Sequence, residues 1–166
     1  MTISGLSKTY SVTGWRVGWA LAPAPLTEGI RKIHDFLTVA APAPFQEAGA
    51  VALRLPDDYY AGLRSQYQRL RDRLVEILEG RGFVCYRPQG AYYLMADIAA
   101  FGRGDDLTFA RYLVSEIGVA AIPGSSFYRD ARDGSSLVRF CFAKREDTLE
   151  EAARRLDRVS LIESGR

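Results

Sequence analysis

Ser4-Gly5-Leu6-Ser7-Lys8-Thr9-Tyr10, followed by Thr13-Gly14-Trp15-Arg16-Val17-Gly18-Trp19, is the stretch on which the reading of this chain turns. A lysine amine forms a Schiff base with an aldehyde when its surroundings leave part of it neutral. Eight residues on, the Arg16 guanidinium can hold a phosphate through two parallel hydrogen bonds. Gly14 and Gly18 let backbone approach where a side chain would collide. An aldehyde and a phosphate on one small molecule describe pyridoxal phosphate. Spacing alone does not carry that inference, because a lysine with an arginine nearby is also ordinary surface charge.

Composition narrows the field. The 166 residues are 48% hydrophobic and 25% charged, the profile of a soluble globular chain with room for one good core or two small ones. A net charge of +2, with acids and bases interspersed, leaves no basic stripe for nucleic acid. No apolar run is long enough to span a membrane, and the N-terminus lacks the basic and apolar regions of a signal peptide. The expectation is a cytoplasmic protein with neither nucleic-acid nor membrane partners. Cys85 and Cys141 lie in apolar strand-like runs without C-x-x-C spacing, so reduced thiols are expected rather than a disulfide. His34 is the single histidine, read as structural or solvent-facing, and no metal site is expected.

Working outward from the lysine, residues 2–6 read as a strand end with Lys8 just past it, where ligands gather in α/β sheets. The apolar run Arg16–Ala22 predicts a buried strand. Leu26, Ile30, Ile33 and Leu37 recur at helical spacing behind Pro25, a first-turn proline. Ala40–Pro44 reads as a rigid connector and Gln46–Leu55 as a helix. A long helix opens at Asp57 or Asp58 as N-cap, with Tyr60, Leu63, Tyr67, Leu70, Leu74 and Ile77 as its apolar stripe, and stops at Gly80 and Gly82.

Beyond it the texture becomes α+β. Strands are expected at 83–86, 91–98, 119–122 and 136–142. One helix is capped by Asp105 or Asp106 and runs to Ile117. A last helix is opened by the capping-box pattern Asp147-Thr148-Leu149-Glu150.

Within the last strand, Ser136-Leu137-Val138-Arg139-Phe140-Cys141-Phe142-Ala143, alternation puts Leu137, Arg139 and Cys141 on one face. A guanidinium in such company needs a carboxylate, because burying an unpaired charge is costly. The partner is either an internal Asp or Glu, or the carboxylate of a substrate gripped bidentately.

Four segments in order, S-K-T-Y-x-x-x-G-W-R-x-G-W, Pro88-Gln89-Gly90-Ala91-Tyr92-Tyr93, Val119-Ala120-Ala121-Ile122-Pro123-Gly124-Ser125-Ser126-Phe127 and L-V-R-F-C-F-A, resemble those of the class I/II aminotransferases, the pyridoxal-phosphate enzymes of fold type I. The look is nearest to the kynurenine, glutamine and methionine transaminase branch. The resemblance implies an α/β fold: the C-terminal part of such a transferase, with residues 1–50 a remnant of the large cofactor-binding domain and its sheet, and 51–166 an α+β small domain. It makes Lys8 the catalytic, cofactor-bound lysine, which also moves the substrate proton. Arg16 becomes the phosphate ligand and Arg139 the ligand of the substrate α-carboxylate. Gly5 stands where many relatives have a phosphate-binding serine, leaving Ser7, or Ser4, as substitute; Cys141 stands where serine is common.

The family further implies amino acid and 2-oxo acid substrates and a homodimer for the full-length form. Members are longer than this chain, and the part not present here supplies the aspartate at the pyridine nitrogen, the ring-stacking aromatic and the residues at the phenolic oxygen. The expected function is therefore amino-group transfer by a truncated C-terminal portion. The alternatives are a catalytically inert remnant or a β-lyase of the same fold. Dicarboxylate-specific members of the family often carry an extra arginine near the segment here reading Ala40–Gln46, which has none, so the resemblance favours neutral or aromatic amino acids.

Overall fold

The computed structural model describes residues 1–159. The fold mixes helices with two antiparallel sheets, and its contacts divide it into two compact units, Met1–Leu63 and Arg64–Arg166.

In the first unit, β1 (Thr2–Gly5) pairs with β2 (Gly18–Leu21) from Thr2↔Leu21 to Gly5↔Gly18. The two glycines close the ladder: a Cβ on Gly18 would lie 2.9 Å from the Ser4 carbonyl oxygen. Past that pair the Leu6 amide donates to the Val17 carbonyl at 3.1 Å, and the chain turns into α1 (Leu6–Thr9). The expected buried strand at 16–22 is shorter and lies at the surface, with Ile3 72% and Leu21 65% exposed. An apolar run buries only where a second layer covers it, and a two-stranded ribbon has little to offer.

The helix α2 (Ala24–Leu37) forms as its spacing predicts, with Pro25 in the first turn. Yet Leu26, Ile30, Ile33 and Leu37 are 38–79% exposed. Next, α3 (Ala43–Ala52) starts three residues earlier than expected, inside the supposed connector. Pro44 falls in its first turn, where a missing N–H costs nothing. One contact anchors α3 to the β1–α1 corner: Leu6 is fully buried, and a Cβ on Gly49 would meet its Cδ1 at 2.6 Å.

Long helix α4 (Asp57–Glu79) begins at Asp57 itself, so Asp57 and Asp58 occupy the first turn rather than the cap, where their charge still complements the helix dipole. In the second unit Leu70, Leu74 and Ile77 are buried as the stripe predicts, and Val75 and Leu78 join them. They pack on a four-stranded sheet of order β3-β4-β6-β5, made of β3 (Val84–Tyr86), β4 (Tyr93–Asp97), β5 (Ile122–Pro123) and β6 (Leu137–Cys141).

Two strands are shorter than expected for local reasons. Ala91 sits at φ 59°, which delays β4. Gly118 at φ 79° turns the chain so that the Val119 amide bonds back to the Leu113 carbonyl at 2.9 Å, leaving only Ile122 and Pro123 for β5.

Asp105 caps α5 (Asp106–Tyr112), accepting from the Thr108 amide at 2.8 Å, and one π-helical turn extends it to Ile117. Phe83, Phe101, Phe109 and Phe140 interlock at centroid separations of 4.5–6.0 Å. The final helix α6 (Glu146–Leu156) buries Leu149, Ala153 and Leu156. Its capping box does not form: Arg145 holds the N-cap position, and its guanidinium engages the Asp147 carboxylate at 2.7 Å. Both cysteines are free thiols, half-buried, and burial pushes Cys85 up to about 11.

Gly124 and Gly134 touch backbone to backbone, since a Cβ on Gly124 would lie 2.6 Å from the carbonyl oxygens of both Gly134 and Leu137. Gly124→Ala is therefore expected to cost about 3 kcal/mol of stability by overpacking, read as a lower urea midpoint with an unchanged slope.

Candidate active site

A four-residue helix cannot persist on its own hydrogen bonds, so the turn that carries Lys8 must be held from outside. Every carbonyl of α1 is engaged. Leu6 O accepts from the Tyr10 amide at 3.2 Å and Lys8 O from the Ser11 amide at 3.4 Å. Ser7 O accepts from the Thr13 hydroxyl at 3.0 Å, and Thr9 O from the Tyr59 phenol at 2.6 Å. The Tyr10 ring stacks on Tyr59 at 5.8 Å, and its hydroxyl lies 2.7 Å from that of Tyr60. Burial and that hydrogen bond push Tyr10 up to about 12.

Arg16 leaves the same end of the β1–β2 ladder as Lys8, because Leu6 and Val17 are bonded across it. Its backbone is left-handed, φ 56°, a conformation that costs a non-glycine residue about 1 kcal/mol or more. One guanidinium N–H donates to the Thr13 carbonyl at 2.8 Å, and among the described residues no carboxylate is bonded to it. Thr13 thus bridges two predicted phosphate ligands, its hydroxyl on the Ser7 carbonyl and its carbonyl on Arg16. Ser7 itself is half-buried on the turn, and Lys8 and Arg16 are exposed.

Arg139 belongs to the second unit, at the centre of β6, opposite Met95 on β4 and Ile122 on β5. Its guanidinium carbon lies 3.9 Å from the Tyr93 ring centroid and 4.0 Å from that of Phe127. The cation is sandwiched between two aromatic faces, and no carboxylate among the described residues is bonded to it. The internal Asp or Glu that a purely structural arginine would use is not among its contacts. Arg139 lines a cavity of about 740 Å³ with Tyr93, Ile122 and Cys141. Arg145 and Arg155 also reach this cavity but are engaged by Asp147 and Glu151 at 2.7 and 2.8 Å. A hydrogen bond to Tyr92 holds the Tyr93 phenol above its ordinary range.

The family model described as aminotransferase class I and II matches residues 1–156. The chain belongs to the class I and II aminotransferase family. It is 42% identical over 164 residues to a probable N-succinyldiaminopimelate aminotransferase of Mycobacterium tuberculosis, covering 94% of this chain and 41% of that protein. It is also 42% identical to the methionine aminotransferase of Escherichia coli, with coverage of 94% and 40%. A solved structure of the M. tuberculosis N-succinyldiaminopimelate aminotransferase superposes with a TM-score of 0.90 at 43% identity, over 96% of this chain and 41% of that one. The chain thus spans about two fifths of the length of the relatives it matches, and the fold is that of fold type I aminotransferases over that portion.

Within this aminotransferase portion, several residues around the site went unread from sequence. Thr13 lies inside the lysine motif and could have been weighed as a polar bridge. Phe127 lies at the end of the Pro123–Phe127 segment, where nothing local marks it as a lid for a guanidinium. Asp106, buried at 3% exposure, accepts from the Ser125 amide at 2.7 Å and so fixes the turn that presents Phe127. Tyr59 meets Thr9 across fifty residues.

The tyrosine cluster gives a pH test. Tyr10 is raised in the folded chain from 10.0 to about 12, so the fold favours its neutral form. Its contribution to stability is present below pH 10 and is lost as pH rises through 12. In an absorbance titration at tyrosinate wavelengths, Tyr60→Phe is expected to lower the Tyr10 step only part of the way, because burial is the larger cause and stays, and Tyr10→Phe to remove that step.

Proposed function

We propose that this chain carries the lysine and two arginines of a pyridoxal-phosphate-dependent aminotransferase, which moves an amino group from an amino acid to a 2-oxo acid. The observation that carries the reading is Arg139, a guanidinium held between two rings in a cavity, with no carboxylate among the described residues bonded to it. A guanidinium kept in that state is suited to an incoming carboxylate, which it would meet through two parallel N–H donors.

The residues of the first unit fit the cofactor. Arg16 offers guanidinium donors beyond the one spent on Thr13, and Lys8 leaves the same end of the ladder on a turn whose carbonyls are all engaged. In this reading Arg16 and Ser7 hold the phosphate, and Lys8 anchors the cofactor and carries the proton taken from the substrate Cα. When bound, the pyridine ring supplies the electron sink that makes that Cα–H bond acidic.

Residues 1–50 are assigned to the cofactor-binding domain and 51–166 to the small domain, an assignment supported by the resemblance of the motifs. The homodimer, proposed for the full-length form, rests on the same support, and the cytoplasmic location is proposed from the apolar patterning of the sequence; among the described residues no helix is long and apolar enough to cross a membrane. The relatives named above differ in the amino acid their names give, so the substrate is proposed at the level of class.

Purified chain mixed with pyridoxal phosphate is expected to develop a visible absorption band that Lys8→Ala lacks, with amino-group transfer to a 2-oxo acid. Arg139→Gln should raise KM for the amino acid roughly 100-fold, the loss of two hydrogen bonds to a charged partner, and Arg139→Lys should recover only part of it. A folded chain with neither band nor transfer overturns the reading in favour of an inert remnant, and repeated turnover without an acceptor, releasing free ammonia with each 2-oxo acid, identifies a β-lyase.

A further inference from the structure

Resting on the assignment of Lys8 as the cofactor lysine, we propose that Tyr59 is a positioning residue for it. The argument starts from one peptide group. The Thr9 carbonyl and the Tyr10 amide are opposite ends of the same rigid plane. Its N–H closes the turn around Ser7, Lys8 and Thr9 by donating to Leu6 O at 3.2 Å, and its C=O is held by the Tyr59 phenol at 2.6 Å. Rotation of that plane would break both bonds together, and the lysine would leave a frayed turn rather than a closed one.

The other carbonyls of α1 are engaged by groups from residues 10–13, so Tyr59 is the partner that comes from outside the local segment. It sits in the first turn of α4, a helix of 23 residues, and is therefore a stiffer anchor than a loop. Its ring is oriented by stacking on Tyr10 at 5.8 Å with an interplanar angle of 13°, and edge-to-face by Tyr60 at 5.4 Å. Tyr60 bonds Tyr10 at the hydroxyl and has no bond to the turn's backbone, which makes it the natural control. The role assigned to Tyr59 is to set the direction in which the Lys8 side chain departs, through the backbone of the turn.

The test uses pyridoxal phosphate as probe and borohydride to trap it, with peptide mass spectrometry to apportion the label among Lys8, Lys32 and Lys144, the chain's three lysines. In the wild type Lys8 should take the larger share. Tyr59→Phe, matched to wild type by far-UV circular dichroism, should lower the Lys8 share relative to the other two lysines by about five- to tenfold, the worth of one hydrogen bond. Tyr60→Phe should leave it within about twofold.

A second arm keeps the ring and the fold: difluorotyrosine at position 59, whose phenol ionises below tyrosine's pH of about 10. The Lys8 share should fall as that phenol loses the proton it donates, while the wild type at the same pH does not follow. An unchanged share in Tyr59→Phe, equal losses in Tyr59→Phe and Tyr60→Phe, or no pH response from difluorotyrosine overturns the positioning role. A wild type without preference for Lys8 overturns the cofactor assignment itself, and the inference with it.

Discussion

The register of β6 is the constraint on which the second unit depends. Leu94↔Phe140 and Met95↔Arg139 alternate along the β4–β6 ladder, so Val138 and Phe140 enter the core while Arg139 faces the aromatic sandwich. A slip of one residue would drive the guanidinium in among the phenylalanines and bring the core side chains out. Burial of an unpaired charge there is far costlier than any packing the slip could gain. The same alternation that seals the core thus delivers a cation to the cavity, and the buried carboxylate of Asp106, holding the Ser125 amide, sets the turn that brings Phe127 over it.

Lys8 is held by different physics. Its turn has four residues and is stabilised by what meets it: a leucine pressed on Gly49, the threonine bridge to Arg16 and a phenol on the last carbonyl. Hydrogen bonds of this kind are directional and short in reach. They fix where a side chain leaves the backbone better than apolar packing does, and they contribute less to stability, about 1 kcal/mol each.

Much of this was legible in the sequence, and the limits are physical. The strand end before Lys8 and the facing of Arg139 follow from period-two alternation and turn chemistry, and both were readable. Helix α3 starts earlier than its sequence suggests because Pro44 looks like a connector, although a proline in a first turn is at home in a helix. The capping box failed because Arg145 competes for the Asp147 carboxylate, a contest that a four-residue pattern does not reveal. The α2 helix forms where its apolar spacing predicts, but periodicity identifies an apolar face without saying what covers it. The Tyr59–Thr9 bond joins residues fifty apart and has no local signature at all.

The two units differ in how their apolar residues are used. Of the buried hydrophobic side chains among the described residues, Leu6 is the single one within Met1–Leu63, and the rest lie between Leu70 and Leu156. Apolar burial supplies most of the favourable free energy of folding, so the first unit has little of it to spend on holding Lys8 still. Local opening costs least where buried contacts are few and hydrogen bonds lie near solvent. A lysine in such a place depends for its direction on the few polar contacts that close its turn. Each of those contacts therefore weighs more there than the same bond would inside the phenylalanine core.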